Sequence, residues 1–303
     1  MNIKLLDDYI KALILNIERE KIPEKPINLI FDSGAINGIL GIGAALYIHH
    51  LEKIDYIKIN KISGCSVGSL LGLWYSRGCP PELYPYIEII FSHYKQNLNF
   101  FVFEKVITDI VQHLFADEND TMLCLYKKLY INYYDTLKCK QCVVTRFKNR
   151  KHLIKCILRS CHIPFLMNGS VKFKNRYVDG IAPYIFKSHK NKNLFIKLIS
   201  FINPISSLNI KNEKNIYTRL IKGIVDVNDF FLYGQSDMCS YVCCSLKIQL
   251  QLREYCALLF LSLIELTLLI HNYLPSSFRE TFVYNQLILL LQKCWYFIQK
   301  NLT

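Results

Sequence analysis

The sequence predicts an α/β fold, and three observations carry that prediction. A β-branched alternating run, Ile57-Lys-Ile-Asn-Lys-Ile62, leads through a tight turn into the apolar, helix-compatible Leu70-Leu-Gly-Leu-Trp74. Earlier, Ile27-Asn-Leu-Ile-Phe31 leads through a small-residue turn into a long apolar pattern over residues 39–51. Short strand candidates and a helix candidate alternate again between residues 141 and 180. Repeated strand–turn–helix units build a sheet flanked by helices. With 303 residues, 51% of them hydrophobic, the chain can bury one large core, or one core plus a smaller helical appendage.

In chain order, Leu5, Leu6, Tyr9, Ile10, Leu13, Ile14 and Ile17 recur at spacings of three and four, which predicts an amphipathic helix over residues 5–20. Pro23 and Pro26 end it before the strand at 27–31. The turn Asp32-Ser-Gly-Ala-Ile-Asn-Gly38 then opens a helix. Such a loop presents backbone N–H groups and the positive end of the helix dipole, so it can hold an oxyanion or serve as a plain tight turn. It has neither the Gly-Lys-Ser/Thr of a P-loop nor GxGxxG spacing.

Beyond the break at Gly78-Cys-Pro-Pro81, helical patterns are expected to about residue 134, interrupted near 117–120, as a cover over the site. Gln141–Phe147 reads as a strand, His152–Ser160 as a helix stopped before Pro164, and Val171–Phe173 and Arg176–Gly180 as short strands. Residues 250–274 predict a long apolar helix with Glu265 at its middle; Gln251, Glu254, Ser262, Glu265 and Asn272 give it a polar stripe. A central carboxylate costs about 2.5–3.5 kcal/mol on insertion, which favours packing or surface association over spanning. After Pro275, residues 280–300 predict a second helix with a broad apolar face. It packs on its neighbour, or lies in a bilayer interface with Trp295 and Tyr296 at headgroup depth.

The twelve cysteines follow no framework spacing, and the N-terminal Met-Asn-Ile-Lys-Leu-Leu-Asp-Asp carries acids where a signal peptide needs an apolar core. Reduced thiols and an intracellular location are expected. Cys139-Lys-Gln-Cys142 has no second pair to complete a zinc site, so no metal is expected. Formal charge is +13, and between Thr136 and Val178 stand eleven Lys or Arg and no Asp or Glu. A helix-turn-helix, RNP or finger pattern is missing, so a nucleic-acid partner is not expected. An anionic phospholipid surface, which attracts basic residues by about 1 kcal/mol each, fits the run better.

The chemistry centres on Gly64-x-Ser66-x-Gly68, between the strand and the helix described first. A serine at the tip of such a turn is uncrowded, and glycines two residues either side let strand and helix approach. The small-residue loop, the Gly-Cys-Ser66-Val-Gly turn, and Asp179-Gly180 after Arg159-Ser-Cys-His-Ile-Pro-Phe165 stand in a fixed order. Together these pieces resemble the patatin-like phospholipase family over roughly residues 27–235. Ile62–Ser69, Arg159–Phe165 and Arg176–Gly180 are similar to phrases of its animal lipases.

The resemblance implies a three-layer α/β/α core with a mostly parallel sheet in residues 1–238, and helices in 239–303 packed on the core or on a membrane surface. It implies a Ser-Asp dyad with Ser66 as nucleophile and Asp179 as base. Backbone N–H groups of Gly34 and Ala35 would form the oxyanion hole, and Gly38, Gly64, Gly68 and Gly180 would support the motifs. Metal and organic cofactors are not implied. The expected activity is lipid acyl hydrolysis at an anionic membrane surface, with phospholipid preferred over neutral lipid. The alternatives are an acyltransferase with the same dyad, or a lipid-binding scaffold without activity. A Ser-Asp-His triad through His189 or His271 is the competing arrangement, and His162 is expected only to pack nearby.

The loop departs from the family's Gly-Gly-Gly-x-Lys/Arg-Gly, reading Ser33-Gly-Ala-Ile-Asn37-Gly38. If its third position needs positive φ, Ala35 is strained there. Asn37 replaces the basic residue, and Ile181 stands where a second glycine often follows Asp-Gly.

Overall fold

A computed structural model describes residues 3–116, 122–187, 191–211 and 213–282, together with 284–286, 289, 290, 293 and 302. Among these, seven strands form one mixed sheet: β1 (Ile27–Phe31), β2 (Ile59–Cys65), β3 (Leu129–Asp135), β4 (Lys140–Val144), β5 (Tyr177–Asp179), β6 (Asn193–Ile196) and β7 (Cys239–Tyr241). The order is β4-β3-β2-β1-β6-β7, with β5 also paired to β3. The four central strands run parallel. β4, β5 and β7 are antiparallel to their neighbours. The helices longer than a single turn among the described residues are α1 (Ile3–Ile14), α2 (Gly38–Lys53), α3 (Val67–Ser76), α4 (Tyr84–Asn97), α5 (Phe103–Leu114), α6 (Arg150–Ser160), α7 (Tyr217–Tyr233) and α8 (Cys244–Tyr273).

Side chains alternate across a strand, and β1 divides its own accordingly. Leu29 and Phe31 join the large core built with α1 to α7, while Ile30 joins a small cluster with Phe195, Ala182, Phe186 and Leu250 of α8. Helices therefore cover both faces of the sheet, seven on one and the N-terminal half of α8 on the other. This is an α/β fold.

The helical pattern expected up to residue 134 stops earlier, because Leu129-Tyr-Ile-Asn-Tyr-Tyr-Asp135 is strand β3 at the heart of the sheet. Its alternating aliphatic and aromatic residues suit a pleated surface better than a helix. β2 runs on through Gly64 to Cys65, α1 ends at Ile14, and Val171–Phe173 contributes only one bridge, from Phe173 to Tyr177. The sheet also passes the expected boundary at residue 238, because β7 pairs with β6. Residues 117–120, His189, Trp295 and Tyr296 lie outside the described residues, so the expected interruption and most of the helix at 280–300 do too.

By length and composition α8 could cross a membrane. Only Leu250 and Leu261 are buried along it, and Leu259 and Phe260 are 63% and 65% exposed. Two of its charges turn the other way: Arg253 pairs with Asp32 and Glu265 with Lys172. Glu265, expected on a polar stripe, is thus neutralised by the body of the protein. The basic run divides similarly. Lys172 holds Glu265, Arg176 holds Asp135, and Arg159 lies over the Tyr177 and Tyr133 rings, so it is not one uniform surface.

Candidate active site

Ser66 is the single residue between β2 and α3, and its backbone is at φ 53°, ψ −133°. A non-glycine residue there stores on the order of 1–3 kcal/mol and persists only where its surroundings over-determine it. The Ser66 N–H donates to Ser160 Oγ at 2.9 Å, and Ser160 Oγ donates to the Asn132 carbonyl at 2.7 Å. Ser69 closes the turn from the other side, its N–H and Oγ donating to the Ser66 carbonyl at 2.9 and 2.6 Å. Gly64 and Gly68 permit the close approach: a Cβ on Gly64 would lie 2.0 Å from the Gly68 oxygen. The sequence motif therefore has the geometry of a nucleophile elbow, with the serine at a strained strand-to-helix turn.

Sheet register brings Asp179 to it. β2 leaves β3 at the pair Cys65–Asn132, and β5 takes up the same edge at the next residue, pairing Asp179 with Tyr133. The Ser66 hydroxyl and the Asp179 carboxylate face one another. Asp179 N–H donates to the His162 carbonyl at 3.1 Å, and its Oδ1 accepts the Ile181 N–H at 2.8 Å. Burial pushes the Asp179 carboxyl up to about 6, opposed by the Ser66 hydroxyl, the Ile181 N–H and the Arg253 guanidinium. A base of that strength is ionised at neutral pH yet basic enough to accept a proton. Ile181 pays for its contact with φ 61°, unusual for a β-branched residue.

The other end of β5 is held by Arg176, whose Nε and Nη2 donate to Asp135 at 2.9 and 2.7 Å. These bonds, with the N–H groups of Lys138 and Leu137, hold the Asp135 carboxyl down at about 2. Because the folded-state value is depressed, this stabilisation is complete above the ordinary carboxylate range and lost as pH falls through about 2. Arg176→Met is therefore expected to lower the urea midpoint at pH 7, by an amount that shrinks as pH approaches 2. Equal midpoints for both proteins at pH 7 would refute this.

The loop after β1 forms one 3-10 turn, Ala35–Asn37, leading into α2. Ala35 adopts φ 43°, the strained conformation expected if an alanine fills this glycine-favouring position. The Gly34 and Ala35 N–H groups stand at the start of the turn, where a helix leaves its donors unpaired. Gly34 packs on Leu198, Gly38 on Val67 and Gly180 on Asn132. Asn37 donates to the Leu198 carbonyl at 2.7 Å and accepts from Arg219 Nη1, so a guanidinium from α7 supplies charge that position 37 lacks. Arg219 is itself held by Glu213, its Nε donating to both carboxylate oxygens at 2.8 and 2.9 Å.

Ser66 lines an open-mouthed cavity of about 820 Å³, open solvent at its mouth included. Apart from Ser66 the wall is hydrocarbon, aromatic rings, one cysteine and one methionine, with Trp74, Phe91, Phe100 and Phe103 among the largest residues. α4 and α5 supply Ile87, Ile90, Phe91, Phe103 and Ile110, so the helices expected to cover the site do so. Ala35, Gly38 and Val67 share the wall with Ser66. Val67, first residue of α3, directly follows the elbow serine, a position the motif reading passed over.

His162 is buried and held neutral by its surroundings, its ring edge-on to Phe173. His271 turns its ring to Tyr284. Asp32 and Arg253 went unrecognised in the sequence; the signal was an arginine inside a leucine-rich run, which needs a buried acid. Cys139 is exposed and donates to the Thr136 carbonyl, and the described residues hold no group of three metal-type ligands. No protein-family model matches the chain, and no curated protein matches it.

Proposed function

We propose that this chain is a lipid acyl hydrolase of the patatin-like type, working from an intracellular membrane surface on phospholipid in preference to neutral lipid. The observation that carries this reading is a serine on a strained elbow, facing a carboxylate with raised pKa, at an apolar cavity. Such a cavity takes a fatty acyl chain and leaves the ester at Ser66. Asp179 accepts the Ser66 proton as Oγ attacks the ester carbon. The resulting oxyanion is received by the N–H groups of Gly34, Ala35 and Val67, each worth about 2.7–4 kcal/mol in sites of this kind. Collapse expels the alcohol, which takes the proton back from Asp179. Water then attacks the acyl-enzyme, giving its proton to Asp179, and the fatty acid leaves as Ser66 is restored.

The outward leucines of α8 and the net positive charge support action at an anionic bilayer. The test is release of labelled fatty acid from mixed anionic liposomes, beside labelling by a serine-directed fluorophosphonate. Wild-type protein should do both, and Ser66→Ala should lose labelling and at least about 10³-fold in turnover. Liposome binding without release or labelling would make the chain a lipid-binding scaffold. Transfer to an added alcohol in preference to water would make it an acyltransferase.

A further inference from the structure

Asp32 is fully buried at the end of β1, directly before the oxyanion loop, and its partner comes from 221 residues away in α8. Arg253 Nη1 donates to Asp32 Oδ2 at 3.0 Å and Nη2 to Oδ1 at 2.5 Å. From there a continuous chain of hydrogen bonds runs to the dyad. The Ser33 N–H donates to Asp32 Oδ1 at 2.9 Å, Ser33 Oγ donates to the Ile181 carbonyl at 3.1 Å, and the Ile181 N–H donates to Asp179 Oδ1 at 2.8 Å. Asp32 and Ser33 thus join the two loops that must keep fixed positions, one offering oxyanion donors and the other carrying the base.

We propose that Arg253 is a positioning residue for the Ser66–Asp179 dyad, fixing Asp32 and, through Ser33 and Ile181, the loop that aims the base. The proposal rests on the hydrolase reading above. A bidentate guanidinium suits the task because it fixes direction as well as charge. The groups around Asp179 also make the effect electrical. Asp32 and Arg253 act on it with opposite sign, while Cys65 of β2 and Cys161 after α6 are thiols that burial keeps protonated, and His162 is neutral. Without Arg253, Asp32 would be an uncompensated buried carboxylate beside a second one, which disfavours ionisation of the base.

The test uses a short-chain p-nitrophenyl ester, whose turnover needs no bilayer, with folding checked by circular dichroism. Arg253→Met should move the acid limb of kcat/KM upward by about one pH unit, a loss of about fivefold at pH 6 that grows toward tenfold at lower pH and narrows toward pH 8. Asp32→Asn with Arg253→Met, which removes both charges and keeps an acceptor for the Ser33 N–H, should return the limb to its wild-type place. Ser33→Ala, which breaks the link to Ile181 without changing charge, should lower kcat and leave KM unchanged. If Arg253 only anchors α8, Arg253→Met will lose the same factor at every pH and the double variant will recover nothing. That result overturns the proposal, as does an unchanged kcat in Ser33→Ala, which decides the matter should Arg253→Met fail to fold. Activity surviving Ser66→Ala and Asp179→Asn would remove the hydrolase reading and this proposal together. If those two are dead while the Arg253 and Ser33 variants behave as wild type, only the positioning role falls.

Discussion

Asp179→Asn is expected to cost at least about 10³-fold in kcat/KM at pH 8, while the folded protein becomes more stable there than wild type. Both effects have one source. Burial raises the Asp179 carboxyl from 3.8 to about 6, so its ionised form is disfavoured by about 3 kcal/mol relative to the unfolded chain. The folded-state value is raised, so the stability contributed by the neutral carboxyl is fully present below the unfolded value and lost as pH rises through about 6. Asparagine carries no charge and keeps an oxygen for the Ile181 N–H. The variant should therefore gain up to about 3 kcal/mol at pH 8 and nothing near pH 3.5, a rise in melting temperature of several degrees at the higher pH only. Thermal midpoints at the two pH values, with fatty-acid release at pH 8, decide it. A variant that keeps turnover, or whose midpoint relative to wild type is independent of pH, would remove Asp179 from the role of base.

The strand–turn–helix units were legible because their residues report on local geometry alone. Ile27–Phe31 is a strand with the bounds read from its apolar run, and the turn at Ser66 follows from glycines whose spacing only a close strand–helix approach explains. Ala35 was legible in the same sense, since an alanine in a glycine-favouring position advertises its own strain. β3 was not, because Tyr130, Tyr133 and Tyr134 give an aromatic pattern that both helix and strand tolerate until neighbouring strands decide. The meeting of Asp179 with Ser66 was legible only through the resemblance and not from local pattern, because it depends on β5 taking β3's edge one residue after β2 leaves it. The Asp32–Arg253 pair lies further still from local reading, being a contact between chain segments that share no motif. Glu265 was legible only as part of a polar stripe on α8, whereas it and Arg253 turn to partners in the protein while leucines of the same helix face outward.

Gly68→Ala is the second large effect, and it tests the elbow without touching a reacting atom. A Cβ added at Gly68 would lie 2.5 Å from the carbonyl oxygens of both Phe31 and Asp32. Those atoms belong to the backbone of β1 and the start of the oxyanion loop, so no side chain can swing aside to relieve the contact. Either α3 moves off the sheet, at about 1–3 kcal/mol or more, or Ser66 is carried with the helix away from Asp179 and the loop. A displacement of about 1 Å at such a site costs on the order of 10²-fold in rate. Gly72→Ala, one turn further along α3, is the matched comparison. Its Cβ meets only the side-chain tips of Leu129 and Ile62, at 2.9 and 3.1 Å, which can give way. Fluorophosphonate labelling should therefore slow by about 10²-fold in Gly68→Ala and by severalfold at most in Gly72→Ala, with urea midpoints falling in the same order. Equal labelling rates in the two variants would mean that the approach of α3 to β1 does not set the position of Ser66.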